Sequence, residues 1–410
     1  MFAGSYAFQS TDDRGQLMKL QVLRPKVIAM VLVALYHATF ANAQTPVTLK
    51  EAYRDAFMIG TAVSPSSFSQ RRGSSRDIVL SQFNSITAEN DMKAGPIHPH
   101  PDVYEFTAAD AIVDFGKANN MFVVGHTLVW HNQTPDWFFI NDQGVTNTPE
   151  QQIERMRQHI ETVAGRYAGR VDAWDVVNEV IDNDGSYRPT TWVQSVGDGD
   201  KLVRAAFKFA GQYAPDAELY YNDFNAWRPE KVSGIVRMAK MLKEHGIRID
   251  GIGMQGHWGL NFPKNQYIQA AIDAYAEVGL QVMITELDVD VLPLTREGQV
   301  IVRSLQEPQF QLEEFEEYLD PYQDGLPPEV QQQLTDRYAE LFEIFYANRD
   351  KISRVTLWGI HDGNSWKNNY PVPARTNYPL LFDRNLRPKS ALQAVLEIPQ
   401  GKASLLGDEP

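Results

Sequence analysis

Residues 173–179 read Ala173-Trp174-Asp175-Val176-Val177-Asn178-Glu179, and residues 218–224 read Glu218-Leu219-Tyr220-Tyr221-Asn222-Asp223-Phe224; between them, Lys201–Tyr213 carries a helical apolar pattern. The two outer segments are short, nearly continuous in apolar character and rich in β-branched and aromatic residues, as expected of strands buried on both faces. A helix joining two such strands is the building unit of a parallel sheet. Outward from this stretch the pattern repeats. Further strand-like runs lie at Phe57–Val63, Ser85–Glu89, Phe122–Trp130, Gly251–His257, Gln281–Asp288 and Arg354–Ile360, and helical patterns at Pro149–Tyr167, Pro229–His245, Tyr267–Val278 and Pro328–Asn348. Eight strands alternating with helices is the count of a (β/α)8 barrel. An open doubly wound sheet competes, but no glycine-rich phosphate loop follows any run. The expected fold class is therefore α/β, a single (β/α)8 TIM barrel. Between strands seven and eight, Leu294–Pro328 makes an extended insert in which Gln306–Tyr318 carries five glutamates; a solvated helical segment is expected there.

In such a barrel the chemistry lies where the strands end. Here strand after strand ends in polar or aromatic residues: Thr87-Ala88-Glu89-Asn90, His126 through His131, Asn178-Glu179, Asn222-Asp223, Gln255-Gly256-His257, Glu286-Leu287-Asp288 and Trp358. Polar groups gathered on one rim serve no folding purpose and converge on a site. Glu179 ends the fourth run and Glu286 lies near the end of the seventh, on strands expected to face each other across the mouth. A lone glutamate at a strand end is ordinarily a surface ion pair. Two at opposed ends, flanked by Asn178, His257 and tryptophans, fit glycosidic-bond hydrolysis, in which one carboxyl protonates the leaving oxygen and the other attacks the anomeric carbon or activates water.

Composition narrows the classes further. With 410 residues, 43% hydrophobic and 22% charged, the chain matches soluble globular averages and buries a large core without staples. Fifty-two acidic against 38 basic residues leave a net charge of −14, which argues against a nucleic-acid partner, since phosphate backbones require clustered basic residues. The absence of cysteine removes disulfides, thiolate catalysis and cysteine-ligated metals together. At the start, Lys19, Arg24 and Lys26 precede the apolar run Val27–Tyr36, and Ala41-Asn42-Ala43 follows. This is the order of a secretory signal, with cleavage expected between Ala43 and Gln44. The run is too short for the roughly 20 residues of a membrane helix, so no membrane span is expected in the mature chain. Met18 stands just before the basic region, which marks residues 1–17 as an upstream start. Residues 1–43 are thus read as leader, 44–398 as the catalytic barrel and 399–410 as a tail, exported to the periplasm or beyond the cell.

The segments Thr87–Lys93, His126–His131, Trp174–Glu179, Tyr221–Phe224, Gly253–Trp258, Ile284–Asp288 and Thr356–Ile360 together resemble glycoside hydrolase family 10, the endo-β-1,4-xylanases. The resemblance covers about residues 48–398. It implies endo-acting hydrolysis of internal β-1,4-xylosidic bonds in xylan by retaining double displacement, with Glu179 as acid/base and Glu286 as nucleophile. By the same resemblance, His257 and Asp288 orient the nucleophile and Asn178 donates to the 2-hydroxyl of the sugar being cleaved. Glu89, Asn90 and Lys93 grip xylose hydroxyls, and His126, Trp130 and Gln133 extend that wall. Gln255 contacts the site near the nucleophile, and Trp130, Trp358 and Trp366 flank the groove, where pyranose faces stack on indole. Gly256-His257-Trp258 departs from the commoner family version, so Trp258 is expected to reshape the leaving-group side.

Bland readings are preferred elsewhere. Asp91 and Arg375 are expected in structural ion pairs, and Trp174 and Trp227 in the core. His98-Pro99-His100 resembles a metal pair but lies past strand two in a proline-rich loop. No metal or cofactor is implied. The expected partners are xylan and xylo-oligosaccharides, no nucleic acid, and no second subunit, the chain being read as a monomer. A dual xylanase/cellulase is the nearest alternative within the enzyme class, because one hydroxymethyl group per ring separates the substrates. A glycan-binding module without turnover is the alternative outside it.

Overall fold

Apolar runs become strands here because both of their faces are covered. Inward side chains fill the barrel, and outward ones such as Ile59, Ile86, Val123, Val176 and Ile252 are buried beneath helices. The computed structural model describes residues 47–69, 74–141, 143–292, 319–371 and 373–401. The barrel strands are β1 (Met58–Val63), β2 (Ser85–Ala88), β3 (Phe122–Val129), β4 (Ala173–Asn178), β5 (Glu218–Asp223), β6 (Gly251–Met254), β7 (Gln281–Asp290) and β8 (Ile352–Leu357). Each pairs in parallel with its neighbours in chain order, β7 with β6 and β8, and β8 with β1, so the sheet closes on itself. The helices following the strands are α1 (Ser75–Gln82), α2 (Thr107–Ala118), α3 (Pro149–Arg166), α4 (Gly199–Tyr213), α5 (Pro229–Glu244), α6 (Asn265–Glu277), α7 (Pro328–Ala347) and α8 (Ser390–Glu397). This is the expected (β/α)8 barrel.

Local sequence sets the helix starts. Thr148 caps α3, its hydroxyl accepting from Gln151 N while the Gln151 side chain returns to Thr148 N, and Pro149 takes the first position, where a missing N–H costs nothing. The buried residues of α3, among them Met156, Ile160, Val163 and Ala164, recur at three- and four-residue spacing, and burying each large one contributes about 1.5–3 kcal/mol. On the same outer face of the sheet, Gly125 on β3 admits the Trp174 ring from β4. A Cβ at that position would lie 2.3 Å from the indole.

Three register shifts fall toward the C-terminal ends: between His126 and Val129 on β3, Asp175 and Val177 on β4, and Ile284 and Leu287 on β7. An extra residue in a ladder re-aims the side chains that follow it. These irregularities therefore turn the ends of β3, β4 and β7 toward the barrel mouth.

Two boundaries differ from the sequence reading. The sixth strand stops at Met254, and His257–Gly259 forms a separate short strand against the end of β7, with His257 opposite Asp288. Gly256 breaks the strand by adopting φ +83°, a conformation open to glycine without cost. The same pairing lengthens β7 to Asp290. The leader over 1–43, the glutamates of Gln306–Tyr318 and most of the tail over 399–410 lie outside the described residues. Of the insert, Leu319 is buried, and Asp320 accepts from Thr376 N at 2.7 Å. No helix among the described residues is long and apolar enough to cross a membrane.

Candidate active site

The C-terminal rim encloses a cleft of about 350 Å³. All the sequence-predicted site residues line it except Asp288, which stands behind His257. Glu89, Asn90 and Lys93 come from the β2 end, His126, Trp130 and Gln133 from the β3 end, Asn178 and Glu179 from the β4 end, Gln255 and His257 from beyond β6, Glu286 from β7, and Trp358 and Trp366 from beyond β8.

Glu286 is held from three sides. Its Oε1 accepts from Asn222 Nδ2 at 2.8 Å, its Oε2 lies 3.0 Å from His257 Nε2, and its backbone N–H donates to Gln255 O at 2.6 Å. His257 in turn places Nδ1 2.9 Å from Asp288 Oδ2, which also accepts from Trp366 Nε1 at 2.8 Å. An imidazole between two carboxylates is favoured as the cation. Burial opposes charging His257, but the charge and hydrogen bond of Asp288, followed by Glu286, lift it to about 9. For Glu286, burial acts to raise the carboxyl. The His257 hydrogen bond, the charges of His126 and His257 and the Asn222 amide reverse this, and hold it below the ordinary carboxylate value. Glu286 is thus kept ionised without being bonded on every lone pair.

Glu179 occupies a left-handed turn immediately after β4, with φ +60°. Its N–H donates to Asn222 O at 2.9 Å, its Oε1 accepts from Gln255 Nε2 at 2.9 Å, and its Oε2 lies 3.7 Å from Arg188 Nη1. Asn222 therefore bridges the two glutamates: its side chain donates to the Glu286 carboxylate while its backbone carbonyl accepts from the Glu179 backbone N–H. Thr285 Oγ1 donates to Asn222 Oδ1 at 2.6 Å and fixes the direction of that amide. The Asn178 carboxamide has two satisfiable orientations. In one its oxygen accepts from Asn222 Nδ2 at 3.0 Å; with oxygen and nitrogen exchanged, the oxygen accepts from Trp130 Nε1 at 3.2 Å and the nitrogen donates to Asn222 O at 3.0 Å.

One wall is polar. Lys93 Nζ donates to Asn90 Oδ1 at 2.8 Å and lies 4.9 Å from the Trp130 ring centroid, and Gln133 Nε2 reaches the same Asn90 oxygen at 3.5 Å. Burial raises the Glu89 carboxyl and lowers the Lys93 ammonium, each tempered by the other's charge. Behind them His126 Nδ1 meets Asp175 Oδ2 at 2.8 Å, both side chains 2% exposed. The lining from beyond β8 is aromatic. Trp358 lies edge-on to His126 at 5.4 Å, and Trp366 stacks on Tyr370 at 4.7 Å between centroids.

Several cleft residues escaped the sequence reading: Asn132, Phe224, Asn225, Phe262, Lys367, Tyr370 and Pro371 line it, and Asn222 and Arg188 act behind it. Asn222 stood in a segment already singled out at a strand end, which was its signal. Arg188 follows Glu179 by a loop and carried none. Two expectations are corrected. Asp91 makes no ion pair among the described residues; burial raises its carboxyl, and Lys93, the nearest cation on its segment, turns to Asn90. Arg375 is buried but donates to the carbonyls of Leu319 and Tyr370, both at 3.3 Å, rather than to a carboxylate. Trp258 lines the cleft but is 2% exposed and packs toward Phe345, so little of it is available to a ligand. Trp174 and Trp227 are buried as expected. His98 stacks on Tyr104, with its ring nitrogens 3.0 Å from His159 Nδ1 and 3.1 Å from Pro101 O.

Comparison with known proteins places this geometry. A family model described as glycosyl hydrolase family 10 matches residues 48–398. An endo-1,4-β-xylanase A of Xylanibacter ruminicola is 39% identical over 360 residues, spanning 87% of this chain and 95% of that protein. A β-1,4-xylanase of Dictyoglomus thermophilum is 38% identical over 352 residues, 85% of this chain and 90% of that one. Among solved structures, a GH10 endoxylanase retrieved from a sugarcane soil metagenome shares 40% identity with a TM-score of 0.78, covering 86% of this chain and 99% of that one. A xylanase of Paenibacillus barcinonensis complexed with a conduramine derivative shares 36% identity with a TM-score of 0.75, covering 87% and 99%.

Proposed function

Because the chain belongs to glycosyl hydrolase family 10, we propose that it is an endo-β-1,4-xylanase acting with retention, Glu286 being the nucleophile and Glu179 the acid/base. The observation that carries the assignment is the asymmetric support of the two carboxyls. Glu286 is held ionised by the His257–Asp288 pair and by Asn222, which suits the group that must attack carbon. Among the described residues Glu179 has no such imidazole–carboxylate pair behind it: its Oε1 accepts from the Gln255 amide and its Oε2 stands 3.7 Å from the Arg188 guanidinium.

In the first step a xylan chain lies in the cleft with one xylose over Glu286. The carboxylate attacks the anomeric carbon as Glu179 protonates the departing glycosidic oxygen, and a covalent xylosyl ester forms on Glu286. In the second step Glu179, now ionised, takes a proton from water as that water attacks the same carbon and releases Glu286. Retention follows from two inversions. Asn178 is positioned to bond the sugar 2-hydroxyl, and such a contact strengthens as the ring flattens toward the oxocarbenium ion. Glu89, Asn90 and Lys93 present a donor and acceptors to neighbouring hydroxyls, and Trp358 and Trp366 offer ring faces to the sugar.

The testing experiment uses glucuronoxylan and, separately, carboxymethyl cellulose, with chromatography of the soluble products and NMR of the first-formed anomer. A ladder of β-configured xylo-oligosaccharides from xylan alone is the expected result, with turnover abolished in Glu286→Ala. Inversion at the anomeric carbon, or wild-type turnover in that variant, refutes the mechanism. Comparable release from both polymers replaces the specificity with a dual one. Export is part of the same proposal, and a mature N-terminus other than Gln44 refutes the cleavage site.

A further inference from the structure

The turn that carries Glu179 is held by residues that do not line the cleft. Along β5 the side chains alternate: Tyr220 and Asn222 point into the barrel, whereas Tyr221 and Asp223 point outward to the helical layer. The Tyr221 hydroxyl accepts from Val180 N at 3.1 Å and from Ile181 N at 3.0 Å, the two amides that follow Glu179. It donates to Asp223 Oδ2, and Asp223 Oδ1 accepts from Lys231 Nζ at 2.7 Å at the start of α5. Tyr221, Asp223 and Lys231 are fully buried, with 0% of each exposed. A phenolic hydroxyl offers one donor and two acceptor sites, and all of them are used. Convergence of successive amides on one oxygen is a geometry that left-handed residues produce, and Glu179 is the residue with φ +60°. A left-handed glutamate is unfavourable by itself and persists only where its surroundings over-determine it. Beyond the turn, Arg188 N donates to Val180 O at 2.8 Å, which closes the loop that brings the Arg188 guanidinium to Glu179.

We infer that Tyr221 is a positioning residue for proton transfer: its hydroxyl, anchored by Asp223 and Lys231, holds the left-handed turn that aims the Glu179 carboxyl at the glycosidic oxygen. This rests on Glu179 being the acid/base. Without the hydroxyl, Val180 and Ile181 present two unpaired buried N–H groups, and the turn relaxes toward a conformation in which the carboxyl no longer meets the leaving oxygen. The ionised nucleophile on β7 is untouched.

Acid assistance matters in proportion to how poor the leaving group is, and this separates positioning from general damage. The test compares kcat/KM of the full chain, Tyr221→Phe and Glu179→Ala on 2,4-dinitrophenyl β-xylobioside, whose leaving group needs no proton, and on xylotetraose, whose leaving group does. General acid catalysis contributes about 10²–10⁴-fold. Tyr221→Phe is expected to lose on the order of 10-fold or more on xylotetraose and under about 3-fold on the dinitrophenyl substrate, while Glu179→Ala shows the same split, only larger. Equal losses on both substrates in Tyr221→Phe, or no loss on either, overturn the inference. If Glu179→Ala itself shows no split, it is the acid/base assignment that falls. Should Tyr221→Phe not fold, Asp223→Asn, which weakens the anchor of the hydroxyl while keeping its shape, is measured in its place with the same split expected and an equal loss overturning it.

Discussion

Asp288→Asn keeps the shape of the side chain behind His257 and removes its charge. In the folded protein His257 is lifted from 6.5 to about 9, against burial, by Asp288 and then Glu286. At about 1.4 kcal/mol for each tenfold change in proton affinity, that rise amounts to on the order of 3 kcal/mol favouring the folded state when the imidazole is charged. The side chain is 13% exposed, so solvent screening takes little of it. Because the folded value lies above the unfolded one, this stabilisation is fully present below about pH 6.5, falls as the pH rises towards 9, and is gone above it. Asp288→Asn removes the share of that rise that Asp288 supplies and leaves the share of Glu286, so it is expected to cost at most about 3 kcal/mol near pH 6 and about 1 kcal/mol, the worth of one buried hydrogen bond, near pH 10. Urea unfolding of wild type and variant, followed by tryptophan fluorescence at those two pH values, measures the gap. In the same variant Glu286 loses its cationic partner, so the acidic limb of kcat/KM moves to higher pH. A stability gap that is the same at both pH values refutes the reasoning, because it assigns Asp288 a role in packing alone.

Three further outcomes are expected. Asn222→Ala removes the donor to Glu286 Oε1 and should lower kcat/KM on xylo-oligosaccharides by about 10- to 100-fold, the worth of a hydrogen bond to a buried charge; unchanged kinetics contradict its bridging position. Gly125→Ala brings a methyl group to 2.3 Å from the Trp174 ring and should destabilise the fold by about 1–3 kcal/mol through overpacking, read as a lowered Tm; an unchanged Tm contradicts the close approach. Trp366→Phe retains the stack on Tyr370 but deletes the N–H to Asp288, and should cost about 1 kcal/mol of stability and raise KM; a KM equal to wild type places Trp366 outside the sugar groove.

The barrel was legible in the sequence because its determinants are local. A strand covered on both faces must be nearly all apolar over its own few residues, as in Val123–Val124 or Val282–Ile284, and a helix start such as Thr148-Pro149 satisfies its own amides from within one turn. Parallel closure then places every C-terminal strand end on one rim, so polar residues that end successive runs, from Glu89 to Trp358, could be gathered into one cleft without knowing the distances between them. Tertiary structure alone decided what those groups do to one another. The Gly256 break, the re-aimed ends of β3, β4 and β7, and the partners of Asp91 and Arg375 depend on which chains meet across the barrel, and sequence spacing carries no record of that. The same holds for ionisation. Glu286 is set by His257, Asn222 and His126, which arrive from three other segments of the chain, and by Asp288, which acts through His257 from two residues further along the same strand; Glu179 is held in its turn by Tyr221 on the next strand. Burial pattern is a property of each segment read alone, whereas electrostatic and hydrogen-bond pairing belongs to segments brought together, and the chemistry of this site rests on the second.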